Sequence, residues 1–149
     1  ESMLSFEALE HRLERLRAVG GVEFINDSKA TNVNAGWFAL ESMTAPTIWI
    51  VGGQDKGNDY GMVLELVRQK VKGIVMLGLD VKKIAAAFEG VVPAITHVTS
   101  MPDAVAAARR MAQAGDAVLL SPACASFDLF ANYEARGAAF KEAVAALEA

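Results

Sequence analysis

The sequence predicts an α/β fold built on a mostly parallel sheet. Two observations carry that expectation. After Gly21, short β-branched or apolar runs alternate five times with amphipathic stretches of helical period, the pattern of repeated β-α units. The 149 residues, 53% hydrophobic and 21% charged, are one domain's worth of chain with enough apolar surface for a core.

Strands are expected at 22–26, 47–52, 73–77, 95–99 and 117–121, and helices at about 33–43, 60–69, 81–88, 102–113 and 132–147. Punctuation residues limit several of these. Pro102 suits a first helical turn, where its missing N–H costs nothing, and Gly115 sits just past the end of that helix. Asp80 can cap the helix at 81–88, which Gly90 and Pro93 close. In the last helix Phe140, Val144 and Leu147 share one face, a stripe for packing on the sheet. Residues 6–19 read two ways. Leu9, Leu13 and Leu16 have helical spacing, while Gly20-Gly21 signals a two-residue hairpin into the first strand.

A net charge of -4 without a basic cluster argues against nucleic acid as a partner. The longest apolar runs, such as 47–51, fall far short of the roughly 20 residues that span a bilayer. The lone Cys124 fits a reducing compartment, so a soluble, cytoplasmic protein with no membrane partner and no metal framework is expected.

In open α/β sheets ligands bind beyond the carboxyl ends of the strands, where loops converge with helix N-termini. Three such loops carry unusual chemistry: "NDSKATN", "GGQDKGND" and "SPACASFD". Lys29 and Lys56, with the hydroxyls of Ser28, Thr31, Ser121 and Ser126, suit an anion bearing carboxylates or phosphates. Solvated loop charges are the alternative reading of both lysines. Gly52-Gly53 permits a tight anion loop, but "GGQDKG" fits neither the dinucleotide nor the P-loop pattern, and a plain turn remains open. Asp27 can pair with Lys29, accept from a ribose or ammonium group, or cap a turn. Cys124 reads as a small buried residue rather than a nucleophile, and His11 and His97 as structural.

Taken together, "HR" at 11–12, "INDSKATN" at 25–32, "GGQDKG" at 52–57 and "LSPACASFDLFANYEARG" at 120–137 resemble the carboxy-terminal domain of the Mur ligases. Within that family they are most similar to the branch that adds D-glutamate to UDP-N-acetylmuramoyl-L-alanine in peptidoglycan synthesis. The resemblance covers nearly the whole chain, in order and spacing. It implies a Rossmann-like three-layer domain with helices on both faces of a six-stranded sheet. Its one antiparallel strand would come from 12–19, which overrules the helical reading there. Residues 1–11 would be a linker from a preceding domain and 12–149 the amino-acid-binding domain.

The resemblance also implies the chemistry. Such ligases use ATP and Mg2+, held mainly by a central domain, to convert the muramoyl-alanine carboxylate to an acyl phosphate that the amine of D-glutamate attacks. Matched by motif, Thr31 and Lys56 would hold the α-carboxylate of D-glutamate, with Lys29 near its charged groups. Ser126 and the backbone at Phe127 and Tyr133 would hold the side-chain carboxylate. Arg12 and Asp27 would meet ATP, at phosphate and ribose. Phe127 and Tyr133 stand where the family often has leucine and phenylalanine, and Arg136 reads either as a helix-surface ion pair or as a ligand contact. The chain alone is expected to be inactive, closing over ATP only beside the central and N-terminal domains. The competing expectations are a free-standing α/β anion-binding module and the equivalent domain of a sister amino-acid ligase.

Overall fold

The structure is a computed structural model that describes residues 10–55 and 57–147. Six strands form one sheet: β1 (Glu14–Val19), β2 (Val22–Asn26), β3 (Thr47–Val51), β4 (Val71–Leu77), β5 (Ala94–Val98) and β6 (Ala117–Leu120). Their spatial order is β1-β2-β6-β3-β4-β5, parallel except for β1, which runs antiparallel to β2. Five helices connect and cover them: α1 (Val33–Glu41), α2 (Leu64–Lys70), α3 (Lys82–Phe88), α4 (Met101–Met111) and α5 (Tyr133–Ala145).

The side-chain period of two divides the core into layers. All five residues of β3 are buried, as a central parallel strand requires. Trp49 and Val51 face a cluster with Leu40 of α1, Val67 of α2 and Phe88 of α3. Ile48 and Ile50 face the other cluster, with Val105 of α4 and Phe140 and Val144 of α5. The predicted stripe on the last helix is therefore core, with Leu147 packed at its edge.

Residues 14–19 are strand, not helix. Gly20 (φ 58°) and Gly21 (φ 79°) supply the two left-handed positions of a tight hairpin whose twist matches the strands. Pairing β1 through that turn covers the edge of β2, which a helix would leave open. Leu9 lies outside the described residues.

The helix expected at 60–69 is split. Asp59 accepts from Gly61 N at 3.0 Å and tightens Tyr60–Val63 into a 3-10 turn before α2 begins. Asp80 receives Lys82 N at 3.1 Å from one position outside the cap of α3. Pro102 lies in the first turn of α4, which Ser100 caps, and Gly115 follows at φ 96°. Among the described residues no helix is long and apolar enough to cross a membrane.

The strand order positions the site. Helices α1 to α3 lie on one face of the sheet and α4 and α5 on the other. Strand β6 sits between β2 and β3, yet sends its chain to the opposite face from both. A crevice opens where neighbouring strands diverge in this way, here at the carboxyl ends of β2, β6 and β3. The three loops singled out by composition follow those strands.

Candidate functional site

Asn32 and Asn132 cap α1 and α5 through their side-chain oxygens, at 2.9 Å from Ala35 N and 2.8 Å from Ala135 N. The second cap places Arg136 in the first turn of α5, pointing inward. Arg136 is 1% exposed, so it is no surface ion pair. Its guanidinium donates to Ser28 Oγ at 2.9 Å, to Ser28 O at 2.8 Å and to Cys124 O at 2.9 Å. Ser28 Oγ in turn donates to Tyr133 O at 2.8 Å. Burial pulls the guanidinium down to about 10, which leaves it charged at neutral pH. One buried cation therefore joins the loops after β2 and β6 to the start of α5.

Behind this clamp sits His11, also buried, with Nδ1 2.9 Å from Asn26 Nδ2 and its carbonyl accepting from Lys29 N at 2.9 Å. Its ring meets Tyr133 edge-on at 6.0 Å. A Cβ at Gly137 would fall 2.1 Å from His11 Nδ1, so the helix must carry glycine there for the histidine to fit. Glu14 accepts from Asn26 Nδ2 and from Lys141 Nζ, each at 3.0 Å, tying the same segment to α5. The burial of His11 anchors the turn that leads into β1. His11 (φ 65°) and Leu13 (φ 47°) are both left-handed, an uncommon backbone for such residues. Between them stands the exposed Arg12.

Asp27, 5% exposed, accepts from Leu13 N at 3.0 Å and from Ser121 Oγ at 2.8 Å. It does not pair with Lys29. Burial raises its carboxyl to about 6, against the opposing pull of those two hydrogen bonds and of the Arg12 charge. Arg12, Asp27 and Lys29 line one cleft of about 300 Å3, with Leu13, Ala30, Ala35, Phe38 and Ala39 as its apolar wall. The two predicted nucleotide contacts and one predicted amino-acid contact thus share a cavity.

The loop after β3 leaves the sheet through Gly52 (φ 134°) and Gly53 (φ 143°), where a side chain would strike Leu77 O and Ala125 O. Gln54 and Ala125 then exchange backbone hydrogen bonds at 2.7 and 3.1 Å, joining this loop to the one after β6. Asp55 collects Gly57 N and Asn58 N, at 2.8 and 2.9 Å, and the Tyr60 hydroxyl at 2.9 Å. Burial would raise its carboxyl, but these donors together hold it below the usual range. Asn58 completes the assembly, accepting from Val33 N at 3.3 Å and donating to Ala123 O at 2.7 Å. Lys56 itself lies outside the described residues.

The remaining predicted contacts distribute around this rim. Thr31 and Phe127 are exposed, Ser126 is buried, and Tyr133 is half-buried with Lys29 Nζ 5.9 Å from its ring centre. Cys124 is buried against Tyr60, its thiol pushed up by burial, which is the environment of an inert cysteine. His97 bonds Gly78 O at 2.7 Å on an edge strand. Among the described residues no cluster of three or more His, Cys, Asp or Glu side chains could hold a metal. Sequence reasoning missed the clamping roles of Arg136 and Asn58. Arg136 was legible only as a charge within a matching motif.

The family described as Mur ligase, glutamate ligase domain, matches residues 11–124. A protein from Christiangramia forsetii named UDP-N-acetylmuramoylalanine--D-glutamate ligase is 58% identical over 144 residues, covering 97% of this chain and 32% of that protein. One of the same name from Porphyromonas gingivalis is 53% identical over the same shares of both. The chain therefore spans about a third of the length of the curated relatives it matches. Among solved structures, a murein peptide ligase from Psychrobacter arcticus superposes with TM-score 0.60 at 13% identity, covering 94% of this chain and 31% of that one. A folylpolyglutamate synthase/dihydrofolate synthase from Yersinia pestis, complexed with AMPPNP and Mn ion, gives 0.57 at 17%, covering 81% and 29%. Both likenesses are of fold. With that family match over most of its length, this chain belongs to the Mur ligase family.

Proposed function

We propose that residues 12–149 are the amino-acid-binding domain of an ATP-dependent ligase that adds D-glutamate to UDP-N-acetylmuramoyl-L-alanine, with 1–11 the linker from a preceding domain. The 58% identity to a D-glutamate ligase across 97% of the chain carries this reading. The geometry agrees with it, because two cations and a buried carboxylate share a cleft at the carboxyl end of β2.

Thr31 and Lys56 hold the α-carboxylate of D-glutamate, with Lys29 near its charged groups, while Ser126 and the backbone at Phe127 and Tyr133 hold its side-chain carboxylate. The donor set of the cleft fits a nucleotide. Arg12 is an exposed guanidinium suited to phosphate oxygens, and each Asp27 oxygen keeps a lone pair for a ribose hydroxyl. ATP, when bound with Mg2+, supplies the phosphoryl group that activates the acceptor carboxylate. The metal would be held mainly by the central domain. This chain contributes positioning and charge screening rather than a reacting group, bringing the amine to the activated carbon as the domains close. Alone it has no turnover.

The test is ADP release by the intact polypeptide, with UDP-N-acetylmuramoyl-L-alanine and either D-glutamate, L-glutamate, diaminopimelate or lysine. Release that depends on D-glutamate is expected. Release driven by another amino acid would move the chain to a sister ligase, and no amino-acid-dependent release would favour a non-catalytic anion-binding module. Phosphate release from ATP by residues 1–149 alone would contradict the assignment of the chemistry to the other domains.

A further inference from the structure

The side-chain amide of Asn58 is engaged at both ends. Its oxygen accepts from Val33 N at 3.3 Å, and its nitrogen donates to Ala123 O at 2.7 Å. Val33 opens α1 two positions after Thr31, and Ala123 stands three positions before Ser126. Asn58 itself follows Lys56 by two positions. One side chain therefore bridges the loops after β2, β3 and β6. Both contacts fix which way the amide faces, because Val33 N can only donate and Ala123 O can only accept.

Other groups hold the bridge in place. Asn58 N donates to Asp55 Oδ1 at 2.9 Å, and Lys83 Nζ of α3 donates to Asn58 O at 2.9 Å. The buried Tyr60 hydroxyl donates to Asp55 Oδ2 at 2.9 Å and lies 3.3 Å from both Asn58 Nδ2 and Cys124 Sγ. Its ring packs edge-on against Phe88 of the core at 5.9 Å. Across the bridge, Ala123 is left-handed (φ 60°), an uncommon backbone for alanine, and its N–H donates to Ala30 O at 2.9 Å. The separation of the three loops is thus set by a connected network of side chains.

That separation acquires a chemical meaning from the ligase reading, on which this inference rests. D-glutamate carries a carboxylate at each end, one assigned to Thr31 and Lys56 and the other to Ser126 with the backbone at Phe127 and Tyr133. We propose that Asn58 is a positioning residue that makes the site selective for the length of the amino acid. By fixing the loops of Thr31 and Lys56 against the loop of Ser126, it sets the span between the two carboxylate holders. An amino acid one methylene shorter or longer reaches one holder and leaves its other carboxylate without a partner, which costs far more than the methylene itself.

The experiment measures kcat/KM of the intact polypeptide for D-glutamate, D-aspartate and D-2-aminoadipate, and KM for ATP, in the wild type, Asn58→Ala and Tyr60→Phe. The wild type should prefer D-glutamate to both neighbours in length. Asn58→Ala is expected to lower kcat/KM for D-glutamate about tenfold, the loss of one bridging hydrogen-bond group. Values for the other two amino acids and KM for ATP should change little, so the preference falls by the same factor. Tyr60→Phe keeps the ring and removes only the hydroxyl, and should shift the preference in the same direction by a smaller factor, which keeps the test open if Asn58→Ala fails to fold. A role in stability alone would scale all three amino acids together. Equal falls for all three would overturn the proposal, as would a preference within about twofold of wild type in both variants, or a wild type indifferent to length. A wild type that ligates none of the three overturns the ligase reading and the length selection with it. The bridge is then read separately by amide hydrogen exchange over 31–35, which should quicken in Asn58→Ala as Val33 N loses its acceptor.

Discussion

Arg136 reaches Ser28 with two of its nitrogens, Nε to the hydroxyl at 2.9 Å and Nη2 to the carbonyl at 2.8 Å, across 108 positions of sequence. The same side chain holds Cys124 O. The loops that carry Lys29 and Ser126 are therefore positioned from beneath by one planar fork, whose geometry an ammonium group cannot reproduce.

Replacing that fork should damage fold and site together. Arg136→Ala leaves three acceptor bonds unmade in a buried place, and a loss of about 3 kcal/mol is expected in urea denaturation of the chain. Arg136→Lys should recover less than half of it. In the intact ligase both variants should raise KM for D-glutamate, and a lysine variant with wild-type stability and KM would show that the clamp is dispensable.

Gly137 and His11 should be coupled. Alanine ordinarily favours a helix interior by about 1 kcal/mol over glycine. At this position its Cβ would collide with His11 Nδ1, so Gly137→Ala should destabilise by about 1–3 kcal/mol instead. Removing the ring in the double variant Gly137→Ala/His11→Ala should recover part of that loss. Denaturation of the four proteins of the cycle measures the coupling, and strict additivity would refute the packing argument.

The buried carboxyl of Asp27 gives stability a pH dependence of definite sign. Its folded value, raised from 3.8 to about 6, means that the folded protein binds the proton more tightly than the unfolded chain. This group's contribution to stability therefore falls as pH rises from about 4 to about 6 and is level above that, a cost of about 3 kcal/mol for the ionised form. Glu14, Asp55 and Asp116, whose values are lowered, contribute with the opposite sign. The difference between wild type and Asp27→Asn isolates the one group. The asparagine variant should be more stable at pH 7.5, with the gap closing toward pH 4, and should bind ATP more weakly. Melting curves across that range that run parallel would sink the argument.

For Lys56 the expectation comes from its loop. Asp55 and Asn58 brace the residues on either side of it against Tyr60, Val33 and Ala123. Lys56→Ala in the intact ligase should raise KM for D-glutamate about tenfold or more, the loss of a charge-assisted contact, with KM for ATP unchanged. An unchanged KM and rate with D-glutamate would remove Lys56 from the site.

Much of this arrangement follows from sequence alone. The runs 22–26, 47–51 and 117–120 are strands because they are apolar and bounded by turn-forming residues, and Pro102 falls in the first turn of a helix because no N–H is needed there. Composition likewise marks out "NDSKATN", "GGQDKGND" and "SPACASFD" as the loops with chemistry. All of these are local properties, written within a few residues of where they act. Three features are not local. Leucine spacing reads this first segment as helix, while the Gly20-Gly21 hairpin signal and the family resemblance read 12–19 as the antiparallel strand, which the structure shows at 14–19, and its pairing partner, the edge of β2, lies outside the segment itself. The order of strands, with β6 between β2 and β3, brings the three loops to one rim and cannot be read along the chain. Arg136 and Phe38 are a charged and an aromatic residue on helices, and by local rules the first belongs in water and the second in the core. The fold reverses both, because the oxygens that receive Arg136 come from a distant loop and the cleft beside Phe38 exists only once β1 and α1 stand together.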